Sequence, residues 1–241
     1  MINFTSPPIN NTDKKFDVVV DYNTRSRHPF IYDLYSNLQN IIEFQDKKIL
    51  DFGGSWGNLI RSSNGNIKEE NYTCLDVDQT ALTEGSVVFP NANWLHYNRK
   101  NVTYNPNGND NTKVCDALGD QKFDLIFSYS VFTHMPYEDL ENLILELKNH
   151  LTSNGKMFIS VCLQEDTNLL EWYKQRRIDE FGQQEDYTLN SSYIYIADNK
   201  QVTELDKEYE RFLVFYNKTF IEKFGIIHSD ANIFQSLLEV K

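Results

Sequence analysis

Lys48-Ile49-Leu50-Asp51-Phe52-Gly53-Gly54-Ser55-Trp56-Gly57 is the stretch that decides how the rest of the chain reads. An apolar run, Ile49 and Leu50, ends in Asp51, and three glycines follow within six positions. Apolar residues running into a glycine-rich turn predict a strand whose exit loop comes close to a ligand. Glycine takes positive φ without strain and lacks the Cβ that would hold a ligand off. A short helix from Asn58 to about Ser63 is expected to open from this turn. Its free N–H groups and positive dipole end would face the same spot. The alternative is that Gly53, Gly54 and Gly57 are plain turn residues.

Outward from this stretch the chain alternates between strand and helix. A helix is expected from about Pro29 to Phe44, where Ile31, Leu34, Leu38 and Ile41 recur at helical spacing. Strands are expected at about 48–52, 72–77, 93–97, 123–128 and 157–163. A helix is expected near Thr80 to Val88. Another begins at Pro136, carries the stripe Leu140, Leu143, Ile144, Leu147 and Leu151, and stops at Asn154-Gly155. Residues 98–113 read as a long loop. Continuous apolar strands alternating with helices predict an α/β fold, a parallel sheet with helices on both faces. Right-handed crossovers place the strand ends on one rim, where ligands bind. After Leu163 the pattern changes. A helix is expected over 168–181, strands at 193–197 and 212–216, a helix from Thr219 to Phe224, and closing strands at 226–228 and 234–240. Residues 164–217 read as a lid or insertion over the rim, 1–29 as an N-terminal arm, and 30–241 as the main domain.

A chain of 241 residues fits one large domain or a domain with an insertion, and an apolar fraction of 40% supports a sizeable core. The net charge is -12, and Lys/Arg never cluster beyond a pair or two. A phosphate backbone needs clustered cations, so nucleic acid is not an expected partner. Cys74, Cys115 and Cys162 form no CxxC pair, which argues against a disulfide framework and a structural zinc site. No metal is expected. The first residues lack a basic region followed by an apolar core, and no window holds the ~18 apolar residues of a membrane span. The expectation is a cytoplasmic protein with no membrane partner.

Three nucleotide-type ligands bind such rims. GxxxxGK[ST] is absent, and GxGxxG fails against Gly53-Gly54-Ser55-Trp56-Gly57-Asn58. Asp51-x-Gly53-x-Ser55-x-Gly57 fits a third pattern better. Here the sequence resembles the class I S-adenosylmethionine-dependent methyltransferases, whose first motif is DxGxGxG. Ser55 stands where the middle glycine is usual, and Gly54 is expected to restore the backbone freedom. The second motif is an acid ending strand two; Asp76 matches, 19 residues beyond Gly57. The third piece, Phe123-Asp124-Leu125-Ile126-Phe127-Ser128-Tyr129-Ser130-Val131-Phe132-Thr133-His134, is similar to the strand-four segment FDLIxSxSVFTH of small-molecule methyltransferases. The resemblance covers roughly 30–163 and 219–240.

The resemblance implies a Rossmann-like, seven-stranded, mostly parallel sheet with helices on both faces, plus a lid after strand five. It implies S-adenosyl-L-methionine as cofactor, bound by Asp51, Gly53, Gly54, Ser55, Trp56, Gly57, Asp76, Val77, Asn98, Ser128 and Tyr129. In this set Asp76 would hold the ribose hydroxyls, Asn98 would lie near the adenine, and Ser128, Tyr129 and Ser130 would line the methyl-transfer point. A carboxylate suits a diol because the diol offers two donors. Catalysis would fall to His134 and Tyr129, with His134 as a general base near neutral pH.

Each role has a plainer rival. Asp76 could cap the following helix, although Asp78 is better placed for that. Trp56 could pack on the core, and His134 could cap or orient the next helix. Tyr22, Arg25, Arg27 and His28 could fold over the cofactor or form a solvated arm. Tyr187, Tyr193, Tyr195, Tyr209, Tyr216 and Trp172 could line an acceptor pocket or fill the lid interior. Glu165, Arg176 and Arg177 could fix a charged acceptor.

The expected function is methyl transfer to an O, N or C atom of a small molecule. The rivals are another reaction of the same cofactor, aminocarboxypropyl transfer or internal displacement releasing methylthioadenosine, and a non-catalytic partner subunit. A homodimer is compatible with either kind of role.

Overall fold

The structure, a computed structural model, describes residues 34–101, 104–135, 137–171, 175, 187–189, 193–196, 213–228 and 235–241. The arm with Tyr22, Arg25, Arg27 and His28 lies outside the described residues. So do Pro136, Trp172, Arg176, Arg177, Tyr209 and much of 164–217.

Five strands run parallel: β1 (Ile49–Phe52), β2 (Tyr72–Asp76), β3 (Asn93–His96), β4 (Phe123–Ser128) and β5 (Leu151–Leu163), side by side as β3-β2-β1-β4-β5. Later in the chain come β6 (Tyr187–Leu189), β7 (Tyr193–Ile196), β8 (Leu213–Tyr216), β9 (Gly225–His228) and β10 (Ser236–Val240). β10 pairs antiparallel with β5 and β9 antiparallel with β10. This completes the seven-stranded sheet β3-β2-β1-β4-β5-β10-β9, in which β10 alone is reversed. Three strands extend it: β8 joins the end of β5 in parallel, at Cys162 opposite Phe215 and Leu163 opposite Tyr216, and β7 and β6 follow antiparallel.

The helices are α1 (Leu34–Leu38), α2 (Asn58–Ser62), α3 (Gln79–Val88), α4 (Val114–Leu118), α5 (Tyr137–Lys148), α6 (residues 167–171) and α7 (Lys218–Ile221). The period-two alternation of the strands divides the core between the two faces. Leu50, Ile126, Met157, Ile159 and Val161 pack with Val114 and Leu118 of α4, Leu140, Ile144 and Leu147 of α5, and Ile221 of α7. Ile49, Leu125, Phe127 and Phe158 pack with Leu34 and Leu38 of α1, Leu59 and Ile60 of α2, and Leu82 of α3.

The first expected helix is confined to Leu34–Leu38 within the described residues. Beyond it the chain turns, and Ile42 and Phe44 are buried without continuing the helix. The last expected helix stop is corrected. α5 ends at Lys148, and Asn154-Gly155 lies inside β5, where the register against β4 jumps from Phe123–Leu151 to Leu125–Lys156. Asn and Gly mark bulges as well as helix ends, and Leu151 pairs with Phe123 instead of closing the helical stripe. α4 and β6 were not expected. Val114 holds α4 in place by donating its N–H to Glu146 Oε2 of α5 (3.0 Å).

Candidate active site

Because β1 to β5 are parallel, their C-terminal ends share one rim, and the residues singled out in the sequence follow four of those ends. The turn after β1 is bound first to its neighbour: Gly53 donates its N–H to the Leu75 carbonyl (2.8 Å). Gly53 and Gly57 take φ of +73° and +79°, and Gly57 is the N-cap of α2. Ser55 itself takes φ +53°. The expectation that Gly54 supplies the missing freedom is therefore corrected. The serine adopts the left-handed conformation, and Gly54 is needed for space. A Cβ on Gly54 would stand 2.6 Å from the Asp51 carboxyl and 2.9 Å from Cys74 Sγ.

Asp51 lies beneath this turn, buried, and accepts a short hydrogen bond from the Tyr72 hydroxyl. Burial raises its pKa to about 7, and the Tyr72 bond opposes the rise. The same burial pushes the Tyr72 phenol and the Cys74 thiol well up. Asp51 thus supports the turn from below.

Asp76 ends β2, and its carboxylate ties two segments together. Oδ2 accepts from the Ser55 N–H (2.8 Å) and Oδ1 from the Asp78 N–H (2.8 Å). Burial raises its pKa, and the Asp78 and Ser55 amides pull it down. Asp78 is the N-cap of α3, accepting from Thr80 and Ala81. The rival capping role for Asp76 is thereby filled by its neighbour. The Val77 carbonyl is 3.1 Å from His96 Nε2, and the Asp76 carbonyl accepts from Tyr97 N–H (2.8 Å). The half-buried Trp56 donates its indole N–H to Glu84 Oε2 (2.6 Å), a partner one helix away that carries no local sequence signal. Asn98 is exposed, in the loop after β3, and its Oδ1 accepts from Asn105 Nδ2 (3.2 Å).

The exit of β4 leans on the same turn: a Cβ on Gly53 would stand 2.1 Å from Val131 Cγ2. Ser128 is buried, and its Oγ and that of Thr133 have no partner among the described residues. Burial pushes the Tyr129 phenol well up, which favours its protonated, hydrogen-bond-donating form at neutral pH. Ser130 takes φ +60°, and its hydroxyl is turned to Gln235, whose Nε2 donates to it (3.0 Å). His134 closes the 3₁₀ turn Phe132–His134 and is half-buried. Tyr216 of β8 is fully buried and donates its hydroxyl to the Met135 carbonyl (2.7 Å). It therefore belongs to the interior and braces the turn. Tyr187, Tyr193 and Tyr195 lie on β6 and β7, but their side chains are outside the described set. Glu165 accepts from the Lys218 N–H (3.0 Å).

Residues 50–157 match the family model described as Methyltransferase domain. No curated protein matches the sequence. Similar solved structures include a DhpI–SAM–HEP complex, 11% identical over 91% of this chain and 91% of that one, with a TM-score of 0.51. The PH0226 protein of Pyrococcus horikoshii OT3 is 11% identical over 92% of each chain, with a TM-score of 0.50. An S-adenosylmethionine-dependent methyltransferase of Clostridium acetobutylicum ATCC 824 is 16% identical over 92% of this chain and 95% of that one, with a TM-score of 0.48. At these identities the likeness is one of fold. Among the described residues no helix is long and apolar enough to cross a membrane.

Proposed function

We propose, from the match of residues 50–157 to a methyltransferase-domain model, that the chain is a class I, S-adenosylmethionine-dependent enzyme that methylates a small-molecule acceptor in the cytoplasm. The observation that carries the reading is the Asp76 carboxylate, which holds the Ser55 amide while standing at the end of β2. A carboxylate has about four acceptor sites. Two are used here, by Ser55 and Asp78, which leaves capacity for a ribose diol. The left-handed backbone at Gly53, Ser55 and Gly57 suits close approach of an adenosyl group.

S-Adenosylmethionine, when bound, supplies an electrophilic methyl group. The chain's own contribution is placement and exclusion of water. Asp51 supports the turn, Asp76 orients the sugar, Ser128 offers a buried hydroxyl at the β4 exit, and His134 takes the acceptor's proton where the nucleophile is protonated. Residues 164–217 serve as the lid over the acceptor. The net charge of -12 disfavours a phosphate backbone as partner and is in keeping with a small acceptor.

The test is calorimetric titration with S-adenosylhomocysteine, followed by incubation with S-adenosylmethionine and candidate acceptors under mass-spectrometric readout. Binding, with formation of S-adenosylhomocysteine, is expected. Methylthioadenosine as product would move the chain to aminocarboxypropyl transfer or internal displacement. No binding at millimolar cofactor would make it a non-catalytic partner.

A further inference from the structure

The geometry points to Gln235 as a positioning residue that locks Ser130 in its left-handed conformation and so fixes the β4 exit turn against the glycine loop. The inference rests on the function proposed above and assigns a residue outside the matched domain to that site.

Three side chains close a ring of hydrogen bonds. Ser130 donates its N–H to Ser160 Oγ (2.7 Å), Ser160 donates its hydroxyl to Gln235 Oε1 (2.5 Å), and Gln235 Nε2 donates to Ser130 Oγ (3.0 Å). Ser160 and Gln235 are 0% and 4% exposed, so each lost bond would leave a buried polar group unpaired. The ring spans three places in the fold: Ser130 just past β4, Ser160 within β5, and Gln235 immediately before β10. The Gln235 carboxamide offers both the acceptor and the donor from one side chain.

Ser130 is at φ +60°, where a residue with a Cβ is strained and persists only when its surroundings over-determine it. The ring supplies that constraint. Its backbone and side-chain groups are both held, one by Ser160 and one by Gln235. Relaxation of Ser130 would swing its neighbours, Tyr129 on one side and Val131 on the other. Val131 rests on Gly53, so the disturbance would reach the loop under the cofactor.

The test uses Gln235→Met, which keeps the volume and removes both bonds, with titration of S-adenosylhomocysteine as readout. The expected loss of affinity is about tenfold, or about 1.4 kcal/mol. Adding Ser130→Gly should bring the affinity back to within about threefold of wild type, because glycine takes positive φ without strain. Ser160→Ala should lose affinity in the same way and be rescued by the same glycine, and it serves if Gln235→Met does not fold. Unchanged affinity in Gln235→Met and Ser160→Ala would overturn the inference. A loss that Ser130→Gly does not restore would also overturn it, since simple packing damage cannot be repaired at Ser130. Failure of the wild type to bind would instead count against the proposed function.

Discussion

Asp76 and Ser55, 21 residues apart in sequence, are joined by a 2.8 Å hydrogen bond from the Ser55 amide to the Asp76 carboxylate. The acid at the end of β2 therefore shapes the glycine loop, and in the proposed function it also offers oxygens to a sugar. Asp76→Ala should weaken S-adenosylhomocysteine binding by a hundredfold or more, on the scale of two charge-assisted bonds. Asp76→Asn keeps one acceptor for Ser55 and should fall between that variant and wild type. Calorimetric titration of the two variants checks the order; equal affinities in all three proteins would remove Asp76 from the site.

Ser55 carries the positive φ of the motif's middle glycine, and Gly54 supplies space. Gly54→Ala drives a Cβ into the Asp51 carboxyl and Cys74, and it should cost about 1–3 kcal/mol by overpacking. Ser55→Gly relieves a positive φ and should leave stability unchanged or raise it by up to about 1 kcal/mol. Urea unfolding of both variants checks the two outcomes.

The pH dependence of stability should bear the mark of Asp51. Its folded pKa is raised from 3.8 to about 7, so between those values the folded state binds more protons than the unfolded state. Unfolding free energy then falls as pH rises through that window, from no penalty below about 4 to a full penalty above about 7. The scale is roughly 4 kcal/mol at 1.36 kcal/mol per unit. Asp51→Asn, which still accepts from Tyr72, should flatten this slope and be more stable than wild type at pH 8. Denaturant midpoints at pH 5, 6.5 and 8 check it. A parallel slope in the variant would assign the effect elsewhere.

Burial holds the Tyr129 phenol above its ordinary range, so of the two proposed catalytic residues His134 is the proposed base. With an acceptor in hand, His134→Ala should lower turnover by about a hundredfold or more and shift cofactor affinity much less. Tyr129→Phe should lose less turnover than His134→Ala. Steady-state kinetics of the two variants, beside titrations of cofactor, check the ranking.

Legibility in the sequence tracked how local each feature is. β4 was read at its observed bounds because Phe123 and the run Leu125–Phe127 stand out as apolar between polar turns. The glycine-loop residues and Asp76 fell on one rim because strand order and parallel direction follow from the alternation. α4 was missed because a helix as short as Val114–Leu118 shows no repeating stripe; its hold on Glu146 is tertiary. Asn154-Gly155 misled because the same dipeptide serves a bulge and a helix stop. The ring of Ser130, Ser160 and Gln235 had no local signal at all, its members being 30 to 105 residues apart. Nothing short of the folded sheet brings them together.

β5 pairs with β10 over residues 157–161 and with β8 over Cys162 and Leu163. The stretch from Leu163 to Leu213 is thus fastened to the same scaffold at both ends. Doubling the length of such a closed segment adds only about 0.6 kcal/mol of closure entropy. Insertions and deletions there can accumulate without retuning the strands that carry Asp51, Asp76 and Ser128, so this stretch is free to diversify while the platform beneath it stays the same.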